Sequence, residues 1–280
     1  MRGAILCYHS QNCGGYDYSD NDHHAFAQDL REVAKCGIPI ISLKEIATSL
    51  TTGKSNELPE RFIALSCDDG TILDWEDYDH PLFGMQRSFA NILRDHLSAQ
   101  ELEGKDLLTA FVIASPTARK SIDQGCYEGL PLSDDHWWPE AAKEGLIAIE
   151  NHSWDHLHSV IPTEQLPHGS AGDFYSIDDL EKSQAQVMAA AEFINARLAG
   201  TSHRSSLFAY PYGHASEYLK KQYFPQYGEE LGVVGAFTTE QNLVDTSSEV
   251  YALPRMVCGD AWRTPDEFKQ LLENLLDTRK

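Results

Sequence analysis

The sequence predicts an α/β fold: a mostly parallel sheet, open or closed into a barrel, wrapped by helices. Short apolar runs rich in β-branched residues recur along the chain, separated by segments with helical spacing. Four of these strand-like runs end abruptly in polar or ionisable residues. No linker, low-complexity tract or internal repeat breaks the alternation, so residues 1–280 read as one domain.

Residues 3–8 form the first buried-strand pattern, ended by His9 and a Gly/Asn/Asp-rich loop over 10–22. Residues 24–36 predict a helix, with Phe26, Leu30 and Val33 on one face and Gly37 as its stop. A strand over 38–42 and a helix over 43–50, capped by Ser42, come next. After a polar loop, 61–67 is a strand running directly into Asp68-Asp69-Gly70. A helix over 86–100 and strands over 108–113 and 146–150 follow, with a short helix over 136–144 before the last of these. Residues 178–198 are the clearest helix. Strands over 207–210, 233–238 and 250–253 and a closing helix over 264–276, with Pro265 in its first turn, complete the order.

A formal net charge of -21 argues against nucleic acid and anionic surfaces as partners. No apolar run is long enough to cross a membrane, and the opening run at 4–7 is too short for a signal-peptide core. A cytoplasmic location without membrane insertion is the expectation. The six cysteines are scattered without C-x-x-C spacing and read as free thiols.

In barrels of this class, chemistry gathers at the C-terminal ends of the strands. Four predicted ends are unusual: Tyr8-His9, Asp68-Asp69-Gly70, His152 with His156, and Tyr210-Pro211-Tyr212-Gly213. Crowded carboxylates repel unless a cation or a shared proton intervenes, so one of Asp68 and Asp69 can ligate a metal while the other acts as a base. Asp-Gly is also a common turn pair. Spacing of four places the His152 and His156 imidazoles on one side of a helical turn, as a divalent metal requires. Two histidines and one carboxylate leave coordination positions open, which suits a catalytic site. The Pro211-Tyr212-Gly213 turn can offer a backbone N–H to a developing oxyanion, or simply lead the chain out of a strand.

Together these motifs resemble the polysaccharide deacetylase superfamily (NodB-like, carbohydrate esterase family four). Ser66-Cys67-Asp68-Asp69-Gly70 is similar to that family's T-F-D-D-G. His152-Ser153-Trp154-Asp155-His156 is similar to H-[ST]-x-x-H, and Ala209-Tyr210-Pro211-Tyr212 to R-x-P-[YF]. The order holds over roughly residues 4–260. The resemblance implies a distorted (β/α)7 barrel. It implies a divalent ion, usually zinc, on Asp69, His152 and His156. It further implies Asp68 as general base, the Tyr212 N–H at the oxyanion, and removal of an N-acetyl group from an amino sugar.

This chain departs from the pattern in three places. Cys67 replaces Phe. Ala209 stands where the family's Arg would tether the catalytic aspartate, and Arg255, at a late strand end, is the candidate substitute. The C-terminal His that serves the family as general acid is missing, and His9 and His80 are the candidates for that role. The acidic and aromatic segment around Trp75, with His136, Trp137, Trp138, Trp154 and Tyr210, could wall a carbohydrate site or simply pack as loops. Two other functions suit the same motifs: removal of a formyl group or opening of a cyclic amide, and carbohydrate binding by a relative that has lost catalysis.

Overall fold

A computed structural model describes residues 1–98 and 106–277. Its centre is a curled sheet with strands β1 (Arg2–Tyr8), β2 (Arg61–Asp69), β5 (Leu108–Val112), β6 (Ile147–Asn151), β7 (Leu207–Ala209), β8 (Gly235–Phe237) and β10 (Met256–Val257). They lie side by side in the order β10-β1-β2-β5-β6-β7-β8, every neighbouring pair parallel. Seven parallel strands with helices outside match the distorted (β/α) barrel expected. β9 (Val244–Asp245) pairs antiparallel with the start of β1, and β3 (Tyr78–His80) with β4 (Gly84–Gln86) forms a separate hairpin.

The pleat sorts the side chains. On β1 and β2, Ala4, Leu6, Tyr8, Ile63, Leu65 and Cys67 pack outward beneath the helices. The alternate positions Ile5 and Ala64 meet Phe111, Leu207, Ala209, Phe237 and Leu253. Ser66 and Asp68 continue that second face of β2, so the pleat aims Asp68 into the barrel.

The helices begin where their caps dictate. α1 (Asp22–Cys36) is capped by Asn21 and stopped by Gly37 at φ 65°. α2 (Leu43–Thr51) is capped by Ser42 and α3 (Phe89–His96) by Ser88. The closing helix Pro265–Leu276 has a capping box between Thr264 and Glu267.

Several expectations change. The strand at 38–42 shrinks to one bridge, Ile40 to Ile63, because Pro39 has no N–H to give and Ser42 already caps α2. The helix proposed for 86–100 begins only at Phe89, since Gln86 belongs to β4; positions 99 and 100 lie outside the described residues. The strand at 250–253 is a single bridge from Leu253 to Phe237. After Pro254 the chain crosses to β1 as β10, so this one segment spans both edges of the curled sheet. The clear helix at 178–198 starts at Leu180 and contains a π turn, Gln184–Met188. The helices Pro116–Cys126 and Phe224–Leu231 were not anticipated.

Candidate active site

Because β1, β2, β5, β6 and β7 are parallel, their C-terminal ends share one rim. Asp68 and Asp69 pair across to Phe111 and Val112, and Asn151 to Phe208, which brings the second and third motifs alongside the first. The backbone there is unusual. Of the seven non-glycine residues with positive φ among the described residues, five stand at this rim: Asp69, Ser153, His156, Leu157 and Tyr212. Non-glycine side chains avoid this region, and such strain concentrates at functional sites. Gly70, at φ 71°, lies so close to β5 that an added Cβ would sit 2.5 Å from Val112 Cγ1.

Asp68 is buried, and both carboxylate oxygens accept hydrogen bonds from Arg255, at 2.6 and 2.8 Å. Arg255 has no exposed surface. Its other N–H groups reach Thr238 O and Ser66 Oγ, and its guanidinium lies over the Phe111 ring. Burial alone would raise the Asp68 carboxyl, but Arg255 and then His152 carry it well below the ordinary carboxylate range.

His152 places Nδ1 2.9 Å from Ala209 O. A carbonyl only accepts, so Nδ1 donates there and Nε2 is left facing the carboxylates. That Nε2 lies 3.8 Å from Asp69 Oδ1, and His156 Nε2 lies 3.7 Å from the same oxygen. Burial lowers His156 to about 3, which leaves it neutral. These gaps are too long for hydrogen bonds and suit three ligands sharing one ion at about 2.0–2.2 Å. Two imidazoles and a carboxylate are the donor set a borderline divalent cation prefers, so these residues fit zinc.

The two histidines are not on a helix, as their spacing had suggested. They are brought together by a compact loop in which Asn151, Ser153 and Asp155 side chains accept from the N–H groups of Ser153, His156 and Leu157. The Tyr212 ring meets the His156 ring edge-on at 4.4 Å.

No protein-family model matches the sequence, and no curated protein matches it. Solved structures do match. The deacetylase PplD of Streptococcus pyogenes, solved in complex with acetate, superimposes with a TM-score of 0.59 at 16% identity, covering 99% of both chains. IcaB from Ammonifex degensii gives 0.62 at 16% identity over 99% of this chain and 97% of its own. A de-N-acetylase from Aggregatibacter actinomycetemcomitans gives 0.60 at 15% identity over 99% of this chain and 100% of its own. The fold is that of the polysaccharide deacetylases.

Within that deacetylase fold the remaining candidates separate. His9 stands at the rim: its N–H donates to Asp22 Oδ2 at 2.7 Å, and its ring, Cys7 Sγ and an Asp68 oxygen lie within 4.8 Å of one another. His80 sits on the β3–β4 hairpin, stacked on Phe83, and none of its described contacts reaches the carboxylates. Tyr210 is sealed from the surface and spends its hydroxyl on Tyr251 O, so burial removes it as a substrate contact. Trp75 and Trp154 are half-buried; Arg94 covers the first, and Phe193 meets the second edge-on. Trp137 and Trp138 belong to the core, and His136 is tied to Asp134 and Glu76.

The motifs did not reveal Gln11, whose side-chain amide donates to Asp69 Oδ2 and so turns Oδ1 toward the two histidines. His158, beside His156 at 5.6 Å, was missed as well. All six cysteines are free, as expected, and four of them are buried.

Proposed function

We propose that the protein is a metal-dependent hydrolase that removes the N-acetyl group from an amino sugar in a glycan or glycan precursor. The observation that supports this best is the pairing of two sets on one rim. Asp69, His152 and His156 converge as metal ligands, and Asp68 stands beside them, held ionised by Arg255. The likeness in fold to deacetylases of known structure supports the same reading.

A zinc ion on Asp69, His152 and His156 would polarise the amide carbonyl and make water more acidic. Asp68 is the general base and takes a proton from the attacking water. Arg255 replaces the tether missing at Ala209: it fixes the orientation of Asp68 and keeps it charged. The Tyr212 N–H donates to the oxyanion as the carbonyl carbon becomes tetrahedral. His9, beside the Asp68 carboxylate, gives a proton to the leaving nitrogen as the C–N bond breaks. Acetate and a free amino sugar leave. Gln11 acts on Asp69, keeping its other oxygen toward His152 and His156, where the ion would be held.

The test is acetate release by the zinc-loaded protein from a panel of N-acetylated mono- and oligosaccharides, with N-formyl and cyclic-amide compounds beside them. Acetate appearing in step with free amine is expected. Turnover of only the N-formyl or cyclic compounds would replace the substrate assignment, and turnover of none would remove the hydrolase reading.

A further inference from the structure

The strand-end motifs account for the reacting centre but leave a row of aromatic rings leading away from it. The row starts at His156. The Tyr212 ring meets it at 4.4 Å, His214 lies 5.4 Å beyond Tyr212, and Tyr175 stacks on His214 at 4.4 Å with only 15° between the planes. Most large apolar side chains here are buried, yet Tyr175 is 55% exposed and Tyr212 37% exposed.

Tyr175 is held in place rather than dangling. Its N–H donates to Asp173 Oδ1 at 2.9 Å, and the next residue, Ser176, donates its hydroxyl to Asp173 O at 2.6 Å. Its other neighbour, Phe174, is fully buried against Phe208. The Asp173 carboxylate, half exposed, stands 3.8 Å from His214 Nδ1 at the edge of the ring pair.

We propose that Tyr175, backed by His214, is a sugar platform that takes the pyranose next to the one being deacetylated. This rests on the hydrolase reading above and adds to it a substrate longer than one sugar. One face of a pyranose is a flat set of C–H groups, which an aromatic ring covers, while its hydroxyls need acceptors at the edge. Tyr175 supplies the ring and Asp173 the acceptor. The two centroid steps beyond Tyr212, 5.4 and 4.4 Å, put Tyr175 two rings away from the tyrosine that borders the metal ligands. A ring already fixed by its backbone loses little freedom on binding, which favours affinity.

The probes are N-acetylglucosamine and its β-linked tetramer. Tyr175→Ala should lower kcat/KM for the tetramer about fivefold to tenfold, mainly through KM, and leave the monosaccharide within about twofold. Tyr175→Trp, which retains a ring, should keep the tetramer preference. An equal fall on both probes would mean a structural role and would overturn the platform; so would no change on either. Calorimetric binding of the tetramer to the wild type and to Tyr175→Ala separates the two levels of the account. Tyr175-dependent binding without acetate release would sink the hydrolase reading and keep the platform. Acetate release with binding indifferent to Tyr175, or no tetramer binding by the wild type, would sink the platform.

Discussion

Asp68 lies inside the barrel against the Arg255 guanidinium, whereas Asp29 lies on α1 beneath Tyr8, Tyr18 and Trp262. Both carboxyl groups are buried, and burial pushes both upward. A full positive charge overcomes it at Asp68 and holds that group ionised. Around Asp29 the partners are two hydroxyls and an indole; they only moderate the effect, and the group rises to about 7. The backbone differs as well. Asp29 sits within a regular helix, while Asp69, beside Asp68, has φ 74°. A buried ion pair on a strained rim is a poor way to stabilise a fold, because desolvation offsets much of the attraction. The proposed general-base role accounts for such a pair here, whereas the Asp29 network is one of packing.

Asp68→Asn breaks this contrast most severely. Loss of the base should cost about 10²–10⁴ in kcat with metal content unchanged. Asp29→Asn should leave kcat within about twofold. Steady-state kinetics with elemental analysis checks both.

Arg255→Ala comes next. It strands the Asp68 charge in the barrel and should cost about 3–5 kcal/mol in denaturant unfolding. Asp68→Asn added to it should restore part of that loss, giving a favourable coupling in a double-mutant cycle. If the two losses simply add, the pairing is not what matters.

The pH dependence sharpens the comparison from the other side. An unfolded aspartate titrates near about 3.9, and Asp29 in the fold near about 7. The folded state therefore binds the extra proton between these values. This stabilising contribution is full below about 4 and is lost as the pH rises through 7. Asp22, raised to about 6 by burial, acts in the same direction. His23 and His156, lowered by burial to about 4 and about 3, act in the opposite direction below the ordinary histidine range. The difference between proteins therefore carries the test: thermal midpoints of Asp29→Asn relative to the wild type should rise as the pH goes from 4 to 8. The smallest contrast is between the two histidines. His9→Ala should lower kcat and change the shape of the pH–rate profile, while His80→Ala should leave both within about twofold.

Much of this was legible in the sequence where local rules apply. Ser42 and Pro265 mark helix starts, and Asp68, Asp69, His152 and His156 sit in contiguous motifs at strand ends. The helix Pro116–Cys126 was missed because it buries only Ala118, Arg119 and Ile122, too thin an apolar stripe, although Ser115 and Pro116 signal its start. Phe224–Leu231 was hidden by Pro225 and Gly228, which read as breakers; a π turn before it lets Pro225 fall in the first turn of a new segment. Arg255 could be suspected only from its position, since its contact with Asp68 spans 187 residues. Gln11 and Tyr175 lie in loops with no periodicity, and the fold alone brings them to the rim.

The most direct test is the metal content of the purified protein after exposure to zinc, measured beside His152→Ala. About one equivalent in the wild type, lost in the variant, is what convergence of Asp69, His152 and His156 on one ion predicts. Zinc absent from both, or bound equally by both, would contradict it.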